Sequence, residues 1–202
     1  MKREIYNEDH EAFRESVQGF VRRVVEPNLE SYQADKSLSR QFWLEAGAQG
    51  LLGLEIPEEF GGVEAGDYRF NAVLTEELAK VNAAVVSCWG IHADIVAPYI
   101  VSLGTEEQKR RWLPGIASGE ILCAIGMTEP SGGSDLAALK TTAVRDGDDW
   151  VINGSKTFIT NGYSADLVVV AARTDPEKGS KGITLFGLES TLPGFGRGRK
   201  LD

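Results

Sequence analysis

The run Asp146-Gly147-Asp148-Asp149-Trp150-Val151-Ile152-Asn153-Gly154-Ser155-Lys156-Thr157-Phe158-Ile159-Thr160-Asn161-Gly162 is punctuated three times by a dipeptide that tolerates positive φ. Asp146-Gly147, Asn153-Gly154 and Asn161-Gly162 are strong hairpin-turn signals, and the residues between them favour extended backbone. The same texture runs outward in both directions, from Ile121 towards the end of the chain. Candidate strands are Ile121–Met127, Thr141–Arg145, Trp150–Asn153, Lys156–Thr160, Leu167–Arg173 and Ile183–Leu188. Short strands with frequent turns predict an antiparallel β-sandwich or barrel over residues 121–202.

Upstream of Ile121 the period changes. Phe13, Val17, Phe20, Val21 and Val24 repeat at helical spacing behind Asn7, a candidate N-cap followed by Glu8, Asp9 and Glu11. Pro27 marks a kink or a stop. Ser39–Ala48 and a stretch from Asp67 through Val81 predict further helices, and an apolar helix follows Asn82. Thr105-Glu106-Glu107-Gln108 is a capping box, and Gly119 is placed to end that last helix. Between the second and third helices, Gly50–Gly62 is a Gly- and Pro-bearing loop whose Leu, Ile and Phe residues imply that it is packed. The chain is therefore expected to be α + β, with a helical domain over 1–120 and a β domain over 121–202.

Net charge is −9 for 202 residues, and it is uneven. Residues 1–120 carry 12 Lys and Arg against 20 Asp and Glu; residues 121–202 carry 9 against 10. Such a balance argues against a nucleic-acid partner, which needs a basic face. Cys88 and Cys123 show neither metal-ligand spacing nor a disulfide framework, so each is expected to be a small interior residue and no metal is assigned. The start turns polar at once, and the Val81–Val101 apolar stretch is broken by Asn82, Ser87, His92, Asp94 and Pro98. No signal peptide and no membrane span are expected, and a cytoplasmic location is the simplest expectation.

Common catalytic patterns are missing: no Walker A sequence, no strand-to-helix G-x-G-x-x-G and no H-E-x-x-H. His10 is expected to be exposed on the first helix, and His92 to be a hydrogen-bonded interior residue. The segment that stands out is Met127-Thr128-Glu129-Pro130-Ser131-Gly132-Gly133-Ser134-Asp135, two glycines beside two hydroxyls after a strand. Such a loop brings N–H and O–H groups close to a polar ligand; a surface connection shaped by Pro and Gly is the blander reading. Lys156–Thr160, read as a strand, places Phe158 and Thr160 on one face, where they suit either a planar ring or an ordinary cross-strand pair.

Together these two segments resemble the acyl-CoA dehydrogenase family. Ala124–Asp135 is similar to its flavin loop and Asn153–Gly162 to its second flavin strand. Leu52–Gly62 and Gly104–Lys109 resemble its N-terminal domain. The resemblance implies FAD, with Ile125, Met127, Thr128, Gly133, Ser134, Phe158, Ile159 and Thr160 at the cofactor. Thr128 and Thr160 would bond the ring, Phe158 would stand where many members carry Trp, and Ser134 would also sit near acyl-CoA. It further implies α,β-dehydrogenation of fatty acyl-CoA: a glutamate takes the α-proton while the β-hydrogen leaves as hydride to the flavin. The expected acceptor is an electron-transfer flavoprotein. Gly182–Phe186 and Gly198–Leu201 lean towards the long-chain branch. Arg197, Arg199 and Lys200 suit either CoA phosphates or a solvated strand end.

In the family, further strands and a four-helix domain with the usual glutamate follow the point where this chain ends. No catalytic residue is therefore assigned. Glu58, Glu59, Glu76, Glu77 and Glu129 are read as loop or surface carboxylates. Apolar faces that would meet that four-helix domain imply self-association as a homo-oligomer, pairing with a chain that supplies the bundle, or a fragment of a longer product. A non-catalytic partner-binding remnant and a flavin oxidase or monooxygenase on the same scaffold are the alternatives.

Overall fold

In a computed structural model that describes residues 4–200, the chain divides into two units, Met1–Leu122 and Cys123–Asp202. The polar start Met1–Arg3 and the last residue of the Gly198–Leu201 pattern lie outside the described residues.

The first unit is helical. Helix α1 (Glu8–Phe20) opens on a reciprocal cap: Asn7 Oδ1 accepts from the His10 N–H (3.1 Å), and His10 Nδ1 accepts from the Asn7 N–H (3.2 Å). That role corrects the expectation of an exposed His10, which is buried. With Nδ1 accepting, the proton sits on Nε2, which faces Asp67 at 3.2 Å, while the ring packs 4.5 Å from that of Phe70. A π turn (Val21–Val25) and a 3₁₀ turn (Glu26–Asn28) holding Pro27 lead into α2 (Leu29–Asp35). Helix α3 (Arg40–Ala48) is capped by Ser39, α4 spans Arg69–Val81, and Asn82 caps α5 (Ala83–Trp89). A π turn (Gly90–Val96) joins α5 to α6 (Ala97–Leu103), whose second residue is Pro98. The predicted box at Thr105 and Gln108 starts α7 (Glu106–Ser118), and Gly119 ends it in the left-handed region.

The core of this unit gathers Phe20, Phe42, Trp43, Leu74, Leu78 and Trp89. The Gly50–Gly62 loop belongs to it. Leu51, Leu52, Leu54, Ile56 and Phe60 are buried, and the Trp89 indole donates to the Leu51 carbonyl at 2.9 Å. Continuous helix from Ala83 to Leu103 has the length and mean hydropathy (1.5) of a membrane span. One face of it is committed to the helical core through Val85, Trp89, Val96 and Ile100. His92, on the same helix, is fully buried and donates to the Ile116 carbonyl (3.0 Å), as an interior histidine should.

Among the described residues, the second unit is a five-stranded sheet of β1 (Cys123–Gly126), β2 (Thr142–Asp146), β3 (Asp149–Asn153), β4 (Leu167–Arg173) and β5 (Ile183–Glu189). The division into helical and β parts stands, but the pairing differs from a purely antiparallel one. β1 lies parallel to β4 and β2 touches β4 in parallel register, whereas β2–β3 and β4–β5 are antiparallel. Turn dipeptides report only local hairpins, and only the Asp146-Gly147 signal closes one, with Gly147 at φ 61°. β4 is the centre. It pairs with three strands, and Leu167–Ala172 are all buried, which explains its unbroken apolar run.

Candidate functional site

β1 carries Ile125, paired with Val169 of β4, to the point where the chain leaves the sheet. Glu129 and Gly132 then exchange two backbone hydrogen bonds of 3.0 Å, closing a tight turn over Pro130 and Ser131. The turn folds back so that Gly133 lies against Thr128; an ideal Cβ there would sit 3.4 Å from the Thr128 methyl. Ser134 and the residues after it are exposed as far as Ala138. Arg173, at the end of β4, holds this far side by donating to the Ala137 (2.6 Å) and Leu139 (3.0 and 3.2 Å) carbonyls.

Glu129 is the hub of the loop. It is 5% exposed, which overturns its reading as a surface carboxylate. One oxygen accepts from the Lys140 N–H (2.6 Å). The other accepts from the Thr141 N–H (2.9 Å), the Thr141 hydroxyl (2.5 Å) and Lys156 Nζ (2.9 Å). Burial alone would push this carboxyl up. Lys156, the Thr141 hydroxyl and the two backbone N–H groups outweigh burial and hold it at about 2. Lys156 also donates to the Met127 carbonyl at 3.2 Å.

Lys156–Thr160 is not a strand, contrary to expectation. The Thr157 N–H donates to the Thr128 carbonyl (2.9 Å), and the next residue, Phe158, takes φ 56°, which a ladder does not allow. Phe158 and Thr160 therefore do not share a pleat. Phe158 is 70% exposed, while Ile159 turns in against the cluster of Ala124, Ala165, Val168 and Val170. Asn161, at φ 63°, anchors the segment by donating to the Cys123 carbonyl (3.2 Å).

All eight predicted site residues thus lie in the β unit. Gly133 folds back towards the Thr128 side chain, and one backbone bond ties Thr128 to the segment holding Phe158, Ile159 and Thr160. Sequence reasoning missed Glu129, Thr141, Lys156 and Arg173 as the framework. Their one local signal is a carboxylate directly after an apolar strand, because every partner lies 11 or more residues away. Burial pushes the Cys123 thiol up, Asp166 adds to the effect, and an inert interior residue results. Arg197 donates to the Ala165 carbonyl (2.9 Å), and Lys200 lies 5.0 Å over the Tyr163 ring; both stand in irregular chain rather than at a strand end.

In the helical unit, Glu77 is likewise buried, correcting its surface reading. Burial pushes its carboxyl up, and Lys80 (2.6 Å), Arg14 (2.6 Å) and Gln18 (3.2 Å) more than reverse this. An open cleft of about 350 Å³ in the same unit is lined by Leu54, Glu55, Glu64, Asp67, Tyr68 and Asn71. Burial and Asp94 push the Glu55 carboxyl up there.

A helical unit followed by a β unit with a glycine-hydroxyl loop and a projecting aromatic defines a recognisable class. Residues 7–120 match the acyl-CoA dehydrogenase N-terminal domain, and residues 124–202 match the acyl-CoA dehydrogenase middle domain. The chain belongs to the acyl-CoA dehydrogenase family. It is 45% identical over 201 residues to the mitochondrial long-chain specific acyl-CoA dehydrogenase of Rattus norvegicus, across 98% of this chain and 46% of that protein. A crystal structure of acyl-CoA dehydrogenase from Geobacillus kaustophilus superposes with a TM-score of 0.95 at 45% identity, over 100% of this chain and 53% of the other. A glutaryl-CoA dehydrogenase from Mycobacterium smegmatis, in complex with FADH2, gives 0.86 at 32% identity, over 94% and 47%. The chain spans about half the length of the curated relatives it matches.

Proposed function

We propose that this chain supplies the cofactor side of an FAD-dependent acyl-CoA dehydrogenase, an oxidoreductase that introduces an α,β double bond into fatty acyl-CoA. The observation that carries this is Phe158. A large aromatic side chain is 70% exposed on a left-handed backbone, next to Thr157, whose N–H donates to the Thr128 carbonyl. Non-glycine residues in that region cost about 1–3 kcal/mol, and they persist where the surroundings enforce them, often at ligand sites. The residues fit a flavin in kind: an exposed ring for its face, the Thr128 and Thr160 hydroxyls for its polar edge, and Gly133 for close backbone approach. Ile125 and Met127 would give the site its apolar lining, Ile159 holds the Phe158 segment to the core, and Ser134, on the exposed side of the loop, is placed for acyl-CoA. Bound flavin would supply the acceptor for the substrate's hydride.

The base that takes the α-proton is not assigned to any residue of this chain. Long-chain fatty acyl-CoA is the proposed substrate, supported by the 45% identity to a long-chain specific relative, and an electron-transfer flavoprotein the proposed acceptor.

The test is spectroscopic. The purified chain is loaded with FAD, freed of excess by gel filtration and titrated with fatty acyl-CoA. A retained flavin band is expected, and Phe158→Ala should weaken retention by up to about tenfold, as lost aromatic stacking predicts. Bleaching by acyl-CoA would place the base within residues 1–202. A retained band that does not bleach places it elsewhere. No retained band removes the proposal.

A further inference from the structure

We propose that the buried Glu129–Lys156 pair is a positioning device that locks the Met127–Thr141 loop and the Gly154–Gly162 segment into one register, so that Thr128 and Phe158 are presented together. This rests on the flavin reading of the site.

The bonding pattern carries it. The Glu129 carboxylate collects four donors from two separate stretches, Lys140–Thr141 and Lys156. Lys156 Nζ also takes the Met127 carbonyl, so one ammonium holds the chain on both sides of Thr128. Its stem lies against Gly126 at the end of β1. The next residue, Thr157, bonds the Thr128 carbonyl, and the one after it is the exposed Phe158. Side-chain exposure is 11% for Lys156 and 4% for Glu129. A buried charge pair by itself adds little stability over apolar residues of similar volume, although those would leave the Lys140 and Thr141 donors without their acceptor. Directional bonds to both segments are what the pair adds.

Two variants test the device: the charge-free Glu129→Leu/Lys156→Met and the single Lys156→Met. Amide hydrogen exchange is followed at Thr157, with Val169 in β4 as the internal control, and FAD affinity is measured by fluorescence. In the double variant Val169 should stay protected, Thr157 should exchange at least about tenfold faster, and FAD should bind at least about tenfold more weakly. Thr157 protection as in the unaltered chain, or FAD affinity within about twofold, overturns the proposal. Should the double variant lose protection everywhere, Lys156→Met decides. Selective loss at Thr157 supports the device; unchanged Thr157, or Thr157 and Val169 lost alike, overturns it. An unaltered chain that binds no FAD sinks the flavin reading instead, and the exchange comparison then still reports whether the pair couples the two segments.

Discussion

Glu129→Ala is expected to destabilise the β unit by about 3–5 kcal/mol, the usual cost of stripping one partner from a buried ion pair. The substitution leaves the Lys156 ammonium with the Met127 carbonyl as its remaining described partner, and it orphans the Lys140 and Thr141 N–H groups and the Thr141 hydroxyl. Each stranded donor adds desolvation cost. The double replacement by Leu and Met should recover only the part due to the stranded ammonium, since the Lys140 and Thr141 donors stay orphaned. Urea unfolding monitored at Trp150, which lies in β3, measures both. A loss under about 1 kcal/mol for Glu129→Ala would mean that water reaches the site and replaces the carboxylate.

The same hub sets a pH dependence. The Glu129 carboxyl is held at about 2 against an ordinary 4.5, a depressed value in the folded state. Its stabilisation is therefore complete above pH 4.5 and is lost progressively as pH falls towards 2. Glu129→Gln should abolish that part of the acid dependence of the β unit while leaving its behaviour above pH 5 or so flat.

Gly47→Ala should destabilise the helical unit by about 3 kcal/mol, at the upper end of overpacking costs. On an exposed helix the same change stabilises by roughly 0.5–1 kcal/mol, so its sign is diagnostic. Gly47 lies in α3, where an added Cβ would overlap the Ser118 carbonyl at the end of α7. Nearby, an added Cβ on Gly119 would overlap the Trp43 carbonyl, and Gly119 also needs its φ of 81° to end α7. The two glycines let α3 and α7 meet backbone to backbone, with Phe42, Trp43 and Ala46 buried on α3. The obstacles are main-chain atoms, so no rotamer change relieves them. Thermal unfolding followed in the far ultraviolet reads the effect; an unchanged or raised midpoint would deny the close approach.

What the sequence disclosed was what local chemistry dictates. Thr105 and Gln108 cap α7, Gly119 ends it, and the Leu167–Arg173 strand matches its apolar run residue for residue. What it hid depends on partners far along the chain. His10 is buried because Asp67 and Phe70 close over it, 57 and 60 residues on. The parallel pairing of β1 with β4 joins Cys123 to Leu167, and no turn signal reports such a crossover. The site shows the same division. Its eight residues came from motif, but the reason Phe158 projects lay in the Thr157–Thr128 bond and the Glu129 hub, and these pull the segment out of the strand its Thr, Phe and Ile content suggests.

The central claim is that Ile125–Ser134 and Phe158–Thr160 form one flavin-holding surface. Adding FAD to the ¹⁵N-labelled chain and mapping amide shift changes tests it most directly, because even weak binding registers residue by residue. The expected result is a set of saturable shifts confined to those two segments and their immediate neighbours, with α1–α4 unmoved. Shifts centred on the helical unit, or none at saturating FAD, would contradict it.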